Sequence, residues 1–403
     1  MRKRTLVLAG IAAGGIAAGG WYGSLDKETR GLLAAMPTNR DVLAWSIPQR
    51  DAAFRAMDKI TLLAKSSEVQ PSLHPLPLPP GKPLAVPGID AYMAGQRAAG
   101  LVILQDGKIR LERYGLGFEA KGRWTSFSVA KSFTSTLVGA AIKDGAIKSL
   151  EDNISLYIPD LRGSAYDGVS VRQLLTMSTG VRWNEDYEDP NSDVSRFNNA
   201  EPEPGMDATV SYMRKLPRAH PPGTVWHYST GETNLIGVLV SSATKKPLAQ
   251  YLQEKIWQPA GMEAPATWLL GKTGHEIAGC CLQAETRDFA RFGLFVLAGG
   301  ATRGQQIVPP DWFAMATTKR IDIGEPGHGY GFQWWTYDDG SVAAQGIFGQ
   351  GIFIDPKRHL VIASNADWTR ATRGPEPEAR EAFYKQVQTL LDAEAAAGRQ
   401  KQP

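Results

Sequence analysis

Strand-forming sequence at both ends of one long body restricts this chain's fold more than any other feature. LVILQDGKIRLERYG (101–115) alternates around Asp106-Gly107, the signal of a two-residue hairpin. Far downstream, YGFQWWTY, SVAAQGIF, GIFIDP and HLVIASN read as short strands of one antiparallel meander. Between them the pattern is mainly helical from Asp152 to about Met262, and helical again over TRDFARFGLFVLAGG (286–300). One sheet can use both sets of strands only if its N- and C-terminal pieces come together. The expected class is therefore α+β, an antiparallel sheet flanked by helices with an all-helical insertion at about 145–285. REAFYKQVQTLLDAEA closes the chain as an amphipathic helix.

The 403 residues are enough to bury a sizeable core. Three segments are expected. Residues 1–22 open with Met-Arg-Lys-Arg and continue through about sixteen small or apolar residues, the pattern of an export signal. Small residues near Ala17-Ala18-Gly19 suit cleavage, whereas Trp21 and Tyr22 suit an interfacial membrane anchor, so both outcomes stay open. The expected location is outside the cytoplasm, periplasmic or anchored in the inner membrane, with membrane association through the N-terminus. Residues 23–87 read as a helical extension ending in the proline-rich linker PSLHPLPLPPGKPLAVPG (71–88), and 88–403 as the main domain.

Lys plus Arg is 44 against 41 for Asp plus Glu, and no basic block occurs beyond the first four residues, which argues against a nucleic-acid partner and for a small-molecule substrate. Six scattered histidines without an H-E-x-x-H or similar spacing disfavour a metal enzyme. The two cysteines, Cys280 and Cys281, are neighbours, and the expectation is a pair of small buried residues instead of a staple.

Chemistry is suggested by TSFSVAKSFT (125–134). A helix from about Ser128 to Lys143 puts Ser128 and Lys131 one turn apart on one face. A serine hydroxyl needs a group to take its proton, and a lysine can serve only if burial or other cations hold it neutral; Phe127, Val129, Ala130 and Phe133 supply the burial. Ser126 and Ser132 have no lysine three residues on. About a hundred residues downstream, WHYSTG (226–231) presents Tyr228 in a loop that opens a helix.

With these motifs in this order, the chain resembles the serine hydrolases of the penicillin-binding-protein and class C β-lactamase superfamily, nearest to family VIII esterases and 6-aminohexanoate-dimer (nylon-oligomer) hydrolases. The resemblance runs from about Gly88 to Asn365 and includes FSVAKSFTSTLVGAAI, VSVRQLLTMSTGVRWNEDY, PPGTVWHYSTGETNLIGVLV and GQGIFIDPKRHLVIASN. It implies a β-lactamase-like fold and acyl-enzyme hydrolysis of small amides or esters without a cofactor. Ser128 is then the nucleophile, Lys131 its partner base and Tyr228 the proton shuttle, with an oxyanion hole formed by the backbone N–H groups of Ser128 and Ile347. Tyr187, Thr230, Gln345 and Gly346 are implied as substrate-binding residues.

Two departures bear on the substrate. Thr230 stands where the family's tyrosine motif carries Asn or Ser. The strand motif K-T-G or H-T-G falls on Ala344-Gln345-Gly346, which has no cation to receive a substrate carboxylate, so carboxylated β-lactams are expected to bind poorly. Lys272-Thr273-Gly274 matches K-T-G literally but precedes the final strands and is expected to be a decoy. The acidic run at Glu185, Asp186, Glu188 and Asp189 reads as a solvated loop. Open alternatives are a family VIII-type carboxylesterase, a weak β-lactamase or D,D-peptidase, and an exported binding protein that has lost turnover.

Overall fold

The computed structural model describes residues 23–25, 27–59 and 65–400; the expected export segment lies outside them. In chain order, the elements that build the site begin with helix α1 (Ile47–Ala53), strand β1 (Ser66–Val69), the hairpin β2 (Ala98–Gln105) and β3 (Lys108–Tyr114), and strand β4 (Trp124–Thr125). Helices α2 (Ala130–Lys143) and α3 (Thr230–Thr244), strands β5 (Ala266–Leu269) and β6 (Leu282–Ala284), and helix α4 (Thr286–Leu297) follow. The meander β7 (His328–Tyr330), β8 (Trp335–Tyr337), β9 (Val342–Gly346), β10 (Gln350–Asp355) and β11 (Leu360–Ala366) leads into the closing helix α5 (Glu376–Arg399).

The main sheet has the order β3-β2-β11-β10-β9-β8-β7, with every neighbour antiparallel. The N-terminal hairpin pairs with the last strand, joining the two ends of the body as the strand pattern requires. β2 (AAGLVILQ) is a continuous apolar run because both its faces are covered. Leu101 and Ile103 pack with Phe383, Val387 and Leu391 of α5, whereas Val102 and Leu104 join the core under α2 and α4. Gly293 lets α4 lie close on the sheet, since a Cβ there would come within 2.4 Å of Val361.

α2 is buried from Ala130 through Ala141, and Phe133 stacks on Phe292 of α4 with ring centroids 3.6 Å apart. Truncating such a ring costs about 3–5 kcal/mol, so the helix carrying Lys131 is rigidly seated.

A second sheet, β1-β5-β6-β4, has no counterpart in the sequence expectations. β5 and β6 fall inside the segment expected to be all-helical; each is too short for its alternation to stand out from a helical pattern. The proline-rich stretch is extended, as its composition requires, and is stitched to the body through Leu76 N–H to Gly261 O (2.8 Å) and Gly81 N–H to Ile109 O (2.8 Å). The helical extension is also part of the body. Arg50 of α1 is buried, ion-pairs with the fully buried Asp367 at 2.6 Å and lies 4.5 Å from the Phe348 ring centroid. Phe54 packs among Trp124, Phe127 and Phe348.

Candidate functional site

β4 delivers the chain into a single 3-10 turn, Phe127–Val129, at the head of α2. The backbone N–H of Ser126 donates to Leu282 O (2.8 Å), and its hydroxyl receives the Leu282 N–H (3.1 Å), which pins the turn to β6. Phe127 adopts φ +40, a left-handed conformation that costs a non-glycine residue on the order of 1–3 kcal/mol. Its ring is clamped between Phe54 and Phe348, at 4.9 and 5.5 Å, and that packing holds the bend. The bend leaves Ser128 8% exposed on the wall of a cavity of about 170 Å³.

Lys131, 1% exposed, lies beneath this wall. Its Nζ donates to the Thr230 hydroxyl (3.0 Å) and to the Gly279 carbonyl (3.0 Å), and stands 5.3 Å from the centre of the Tyr228 ring. Burial pulls its pKa down to about 8, partly opposed by the negative charge of Glu185. A neutral amine has two N–H groups and one lone pair. With both N–H groups taken by Thr230 and Gly279, the lone pair is left free to accept a proton.

Tyr228 contacts the Ser128 hydroxyl, which favours its ionised form, but burial and the Glu185 charge outweigh this and keep it a neutral phenol. Trp335 stacks beside the phenol at 5.7 Å and fixes its ring. The three residues Ser128, Lys131 and Tyr228 thus converge, as the motif spacing anticipates.

The other candidates divide. Tyr187, Thr230 and Ile347 line the cavity with Ser128. Gly346 presses on the Ser128 turn: a Cβ there would lie 2.8 Å from Ser126 O and 3.0 Å from Ser128 N. Gln345 does not face the site. Strand alternation turns it to the opposite side of β9, where its amide donates to Tyr337 OH (2.9 Å) and its carbonyl accepts from Arg380 of α5. Its assignment to substrate binding is therefore corrected. Ala344 is buried in the core, so no cation stands at that strand position.

The K-T-G string lies in the loop after β5, away from the main sheet. Lys272 nevertheless reaches the cavity rim, where its ammonium donates to Asn199 O (2.7 Å) and pairs with Glu201.

Glu185 is the main residue that sequence reasoning missed. It does not belong to a solvated acidic run: its carboxylate accepts from the Thr230 N–H (2.9 Å), the Tyr187 hydroxyl (2.6 Å), the Thr230 hydroxyl and the Trp183 indole. A backbone N–H in the first turn of α3, without a partner inside the helix, is a natural seat for a carboxylate. The available signal was its place two residues before Tyr187, within the segment that carries the family resemblance.

Asn234, four residues after Thr230 on the same face of α3, was also missed. It bridges the two groups that hold Lys131, donating to Thr230 O (3.2 Å) and accepting from Gly279 N–H (3.1 Å). The cysteine expectation is corrected too, because Cys280 and Cys281 form a disulfide with each other. Both line the cavity, whose remaining wall includes Val42, Leu43, Trp45 and Met57 from the N-terminal extension.

A family model described as Beta-lactamase matches residues 89–384. The 6-aminohexanoate-dimer hydrolase of Paenarthrobacter ureafaciens is 27% identical over 366 residues, covering 87% of this chain and 92% of that protein. A solved structure from Bacillus anthracis, provisionally assigned as a 6-aminohexanoate-dimer hydrolase, superposes with a TM-score of 0.76 at 23% identity, over 87% of this chain and 96% of that one. A family VIII carboxylesterase superposes with a TM-score of 0.57 at 16% identity, over 76% of this chain and 99% of that one.

Proposed function

Since the chain belongs to the beta-lactamase family of serine hydrolases, we propose that it cleaves small linear amides or esters through an acyl-enzyme on Ser128, in the manner of 6-aminohexanoate-dimer hydrolases. The observation that carries this reading is Lys131, buried, held by two acceptors and lowered to about 8, next to a neutral Tyr228 that contacts Ser128.

In the first step Ser128 Oγ attacks the substrate carbonyl and its proton passes to the Lys131–Tyr228 pair. The carbonyl oxygen becomes the oxyanion, received by the backbone N–H groups of Ser128 and Ile347. As the tetrahedral intermediate collapses, the bond to the leaving amine or alcohol breaks and Tyr228 returns the proton to it. Water then attacks the acyl-serine, giving its proton to the same pair, and Ser128 recovers a proton as the acid departs. No cofactor takes part.

The apolar part of the cavity wall (Val42, Leu43, Trp45, Met57, Leu269, Ile277) and the absence of a cation at Ala344, with Lys272 at the rim paired to Glu201, support an uncharged aliphatic acyl chain over a carboxylated β-lactam. Tyr187 and Thr230 are assigned to the scissile group because both line the cavity with Ser128. Export to an oxidising compartment is part of the proposal, supported by the N-terminal sequence and by the Cys280–Cys281 disulfide.

The test is a panel of short p-nitrophenyl esters, linear amide oligomers and nitrocefin, with intact-mass detection of the acyl-enzyme. Turnover of esters and amides with a transient adduct on Ser128 is the expected result. Efficient nitrocefin hydrolysis would sink the argument from Ala344, and an adduct that is never released would favour a binding protein.

A further inference from the structure

The segment 277–282 lines the cavity through Ile277, Cys280 and Cys281, and each of its carbonyls accepts a hydrogen bond. The Trp268 indole donates to Ile277 O (3.0 Å) and Cys280 O (2.8 Å), Thr134 to Ala278 O (2.9 Å), and Lys131 to Gly279 O (3.0 Å). The N–H groups of Leu269 and Ser126 take Cys281 O (3.1 Å) and Leu282 O (2.8 Å). The wall therefore touches the site twice, at the lysine through Gly279 and at the nucleophile turn through Leu282. Between those contacts sits the disulfide. Cys281 takes a left-handed φ of +71, unusual for a residue with a side chain, and the small ring closed by the S–S bond removes the freedom to leave it. Gly279 has no slack either, because a Cβ there would lie 3.0 Å from Thr230 and 3.1 Å from Lys131 Nζ.

We propose that the Cys280–Cys281 disulfide is a positioning element of the catalytic site, fixing the Gly279 carbonyl against Lys131, so that reduction to the dithiol slows turnover reversibly. The proposal rests on the serine-hydrolase reading above. A small-molecule dithiol supplies the reductant: its two thiols are oxidised to a cyclic disulfide, and two electrons and two protons pass to the cysteine sulfurs, breaking the S–S bond. With the ring open, the 280–281 backbone can relax and the Gly279 carbonyl drifts from Nζ. Losing that acceptor disfavours the ammonium form, so Lys131 titrates lower. Glu185 and Tyr228 face Lys131 and are not altered by the reductant; the two thiols it releases, next to Gly279, add charge only above about pH 8.5, on the alkaline side of the limb that is read.

The experiment uses the full folded chain. It is treated with dithiothreitol, its free thiols are counted by iodoacetamide labelling and intact mass, and p-nitrophenyl ester hydrolysis is followed across pH before reduction, after it, and after reoxidation. The expected result is two labels, a fall in kcat of about tenfold, within the range that misplacing a reacting group costs, with KM less affected. The acid limb of the pH profile moves to lower pH, and both changes reverse on reoxidation. Cys280→Ser/Cys281→Ser should reproduce the reduced enzyme if it folds; the reversible treatment of the unmutated chain does not depend on that. Two labels with unchanged kcat and an unmoved acid limb overturn the proposal, as does finding both thiols free before reduction. Activity lost without recovery on reoxidation also overturns it, because that is unfolding. Absence of turnover by the oxidised enzyme overturns the hydrolase reading, and this proposal with it.

Discussion

Glu185 grips Thr230 with both carboxylate oxygens, one on the backbone N–H at 2.9 Å and the other on the hydroxyl. Because the hydroxyl spends its proton on Glu185, its lone pair faces Lys131 at 3.0 Å. The loop carboxylate thus sets both the direction of the lysine's hydrogen bond and, by charge, its proton affinity. In the base role proposed for it, Lys131 acts when neutral, so activity is expected above a pH of about 8 and is expected to be lost as pH falls through it. Glu185→Gln removes the charge that raises this pKa. The acid limb of kcat/KM should move to lower pH, while kcat falls as Thr230 and Tyr187 lose their anchor. A pH profile on a p-nitrophenyl ester checks this, and an acid limb that stays in place would remove Glu185 from the electrostatics of the site.

Ser128→Ala should abolish turnover and the acyl-enzyme mass together. Tyr228→Phe keeps the ring that stacks on Trp335 but loses the proton relay, and should lower kcat by about 10²–10⁴-fold. Lys272→Ala is the contrasting case. Its ammonium is committed at the rim to Asn199 and Glu201, and an exposed ion pair of that kind is worth at most about 1 kcal/mol. Near-wild-type kcat is expected; a large loss would mean that the K-T-G string works in catalysis after all.

What the sequence makes legible follows from which physical rules are local. S-x-x-K at a helix start, the Asp106-Gly107 hairpin and the strand-helix-strand order depend on short-range periodicity, and each appears in the structure, except that Ser128 sits in a 3-10 turn just before the helix that carries Lys131. Glu185 and Asn234 depend on a loop and a helix meeting across the site, which periodicity cannot report. The second sheet is hidden by strands of two to four residues. Gln345 is a different case: with Ala344 and Gly346 facing inward, strand alternation alone sends the residue between them to the other face. The family motif's position number obscured a rule already available.

Arg50 couples the N-terminal extension to the cavity. Its guanidinium ties the buried Asp367 to the carbonyls of Trp45 and Trp368, so this side chain, together with the Asp51–Arg97 ion pair and the Phe54 ring, holds α1 and the wall residues Leu43 and Trp45 to the body. Arg50→Ala leaves Asp367 as a buried charge with only Arg97 at 3.6 Å, and breaking such a pair costs about 3–5 kcal/mol. A lower midpoint in urea is expected, together with a KM that rises more than kcat falls, because the wall loosens while Lys131 stays seated on α2 and the Ser128 turn stays pinned to β6 through Ser126 and Leu282. An unchanged KM in a destabilised variant would show that the extension plays no part in binding.

Gly346 and Gln345 are adjacent on β9 but face opposite sides, so a paired substitution separates the two faces. Gly346→Ala drives a methyl to 2.8 Å from Ser126 O and 3.0 Å from Ser128 N, contacts with backbone that no side-chain rotation can relieve. Strand and Ser128 turn must move apart, displacing the Ile347 N–H from the oxyanion position proposed for it. The loss should fall on kcat, on the order of 10²-fold as for removal of one oxyanion donor, with little change in stability of the distant core. Gln345→Ala instead removes hydrogen bonds to Tyr337 and Arg380 beneath α5. It should cost about 1–2 kcal/mol in a urea melt and leave ester turnover near wild type. If Gln345→Ala were the variant that lost activity, the strand would have to present its other face to the substrate, and the placement of Ile347 in the oxyanion hole would fail with it.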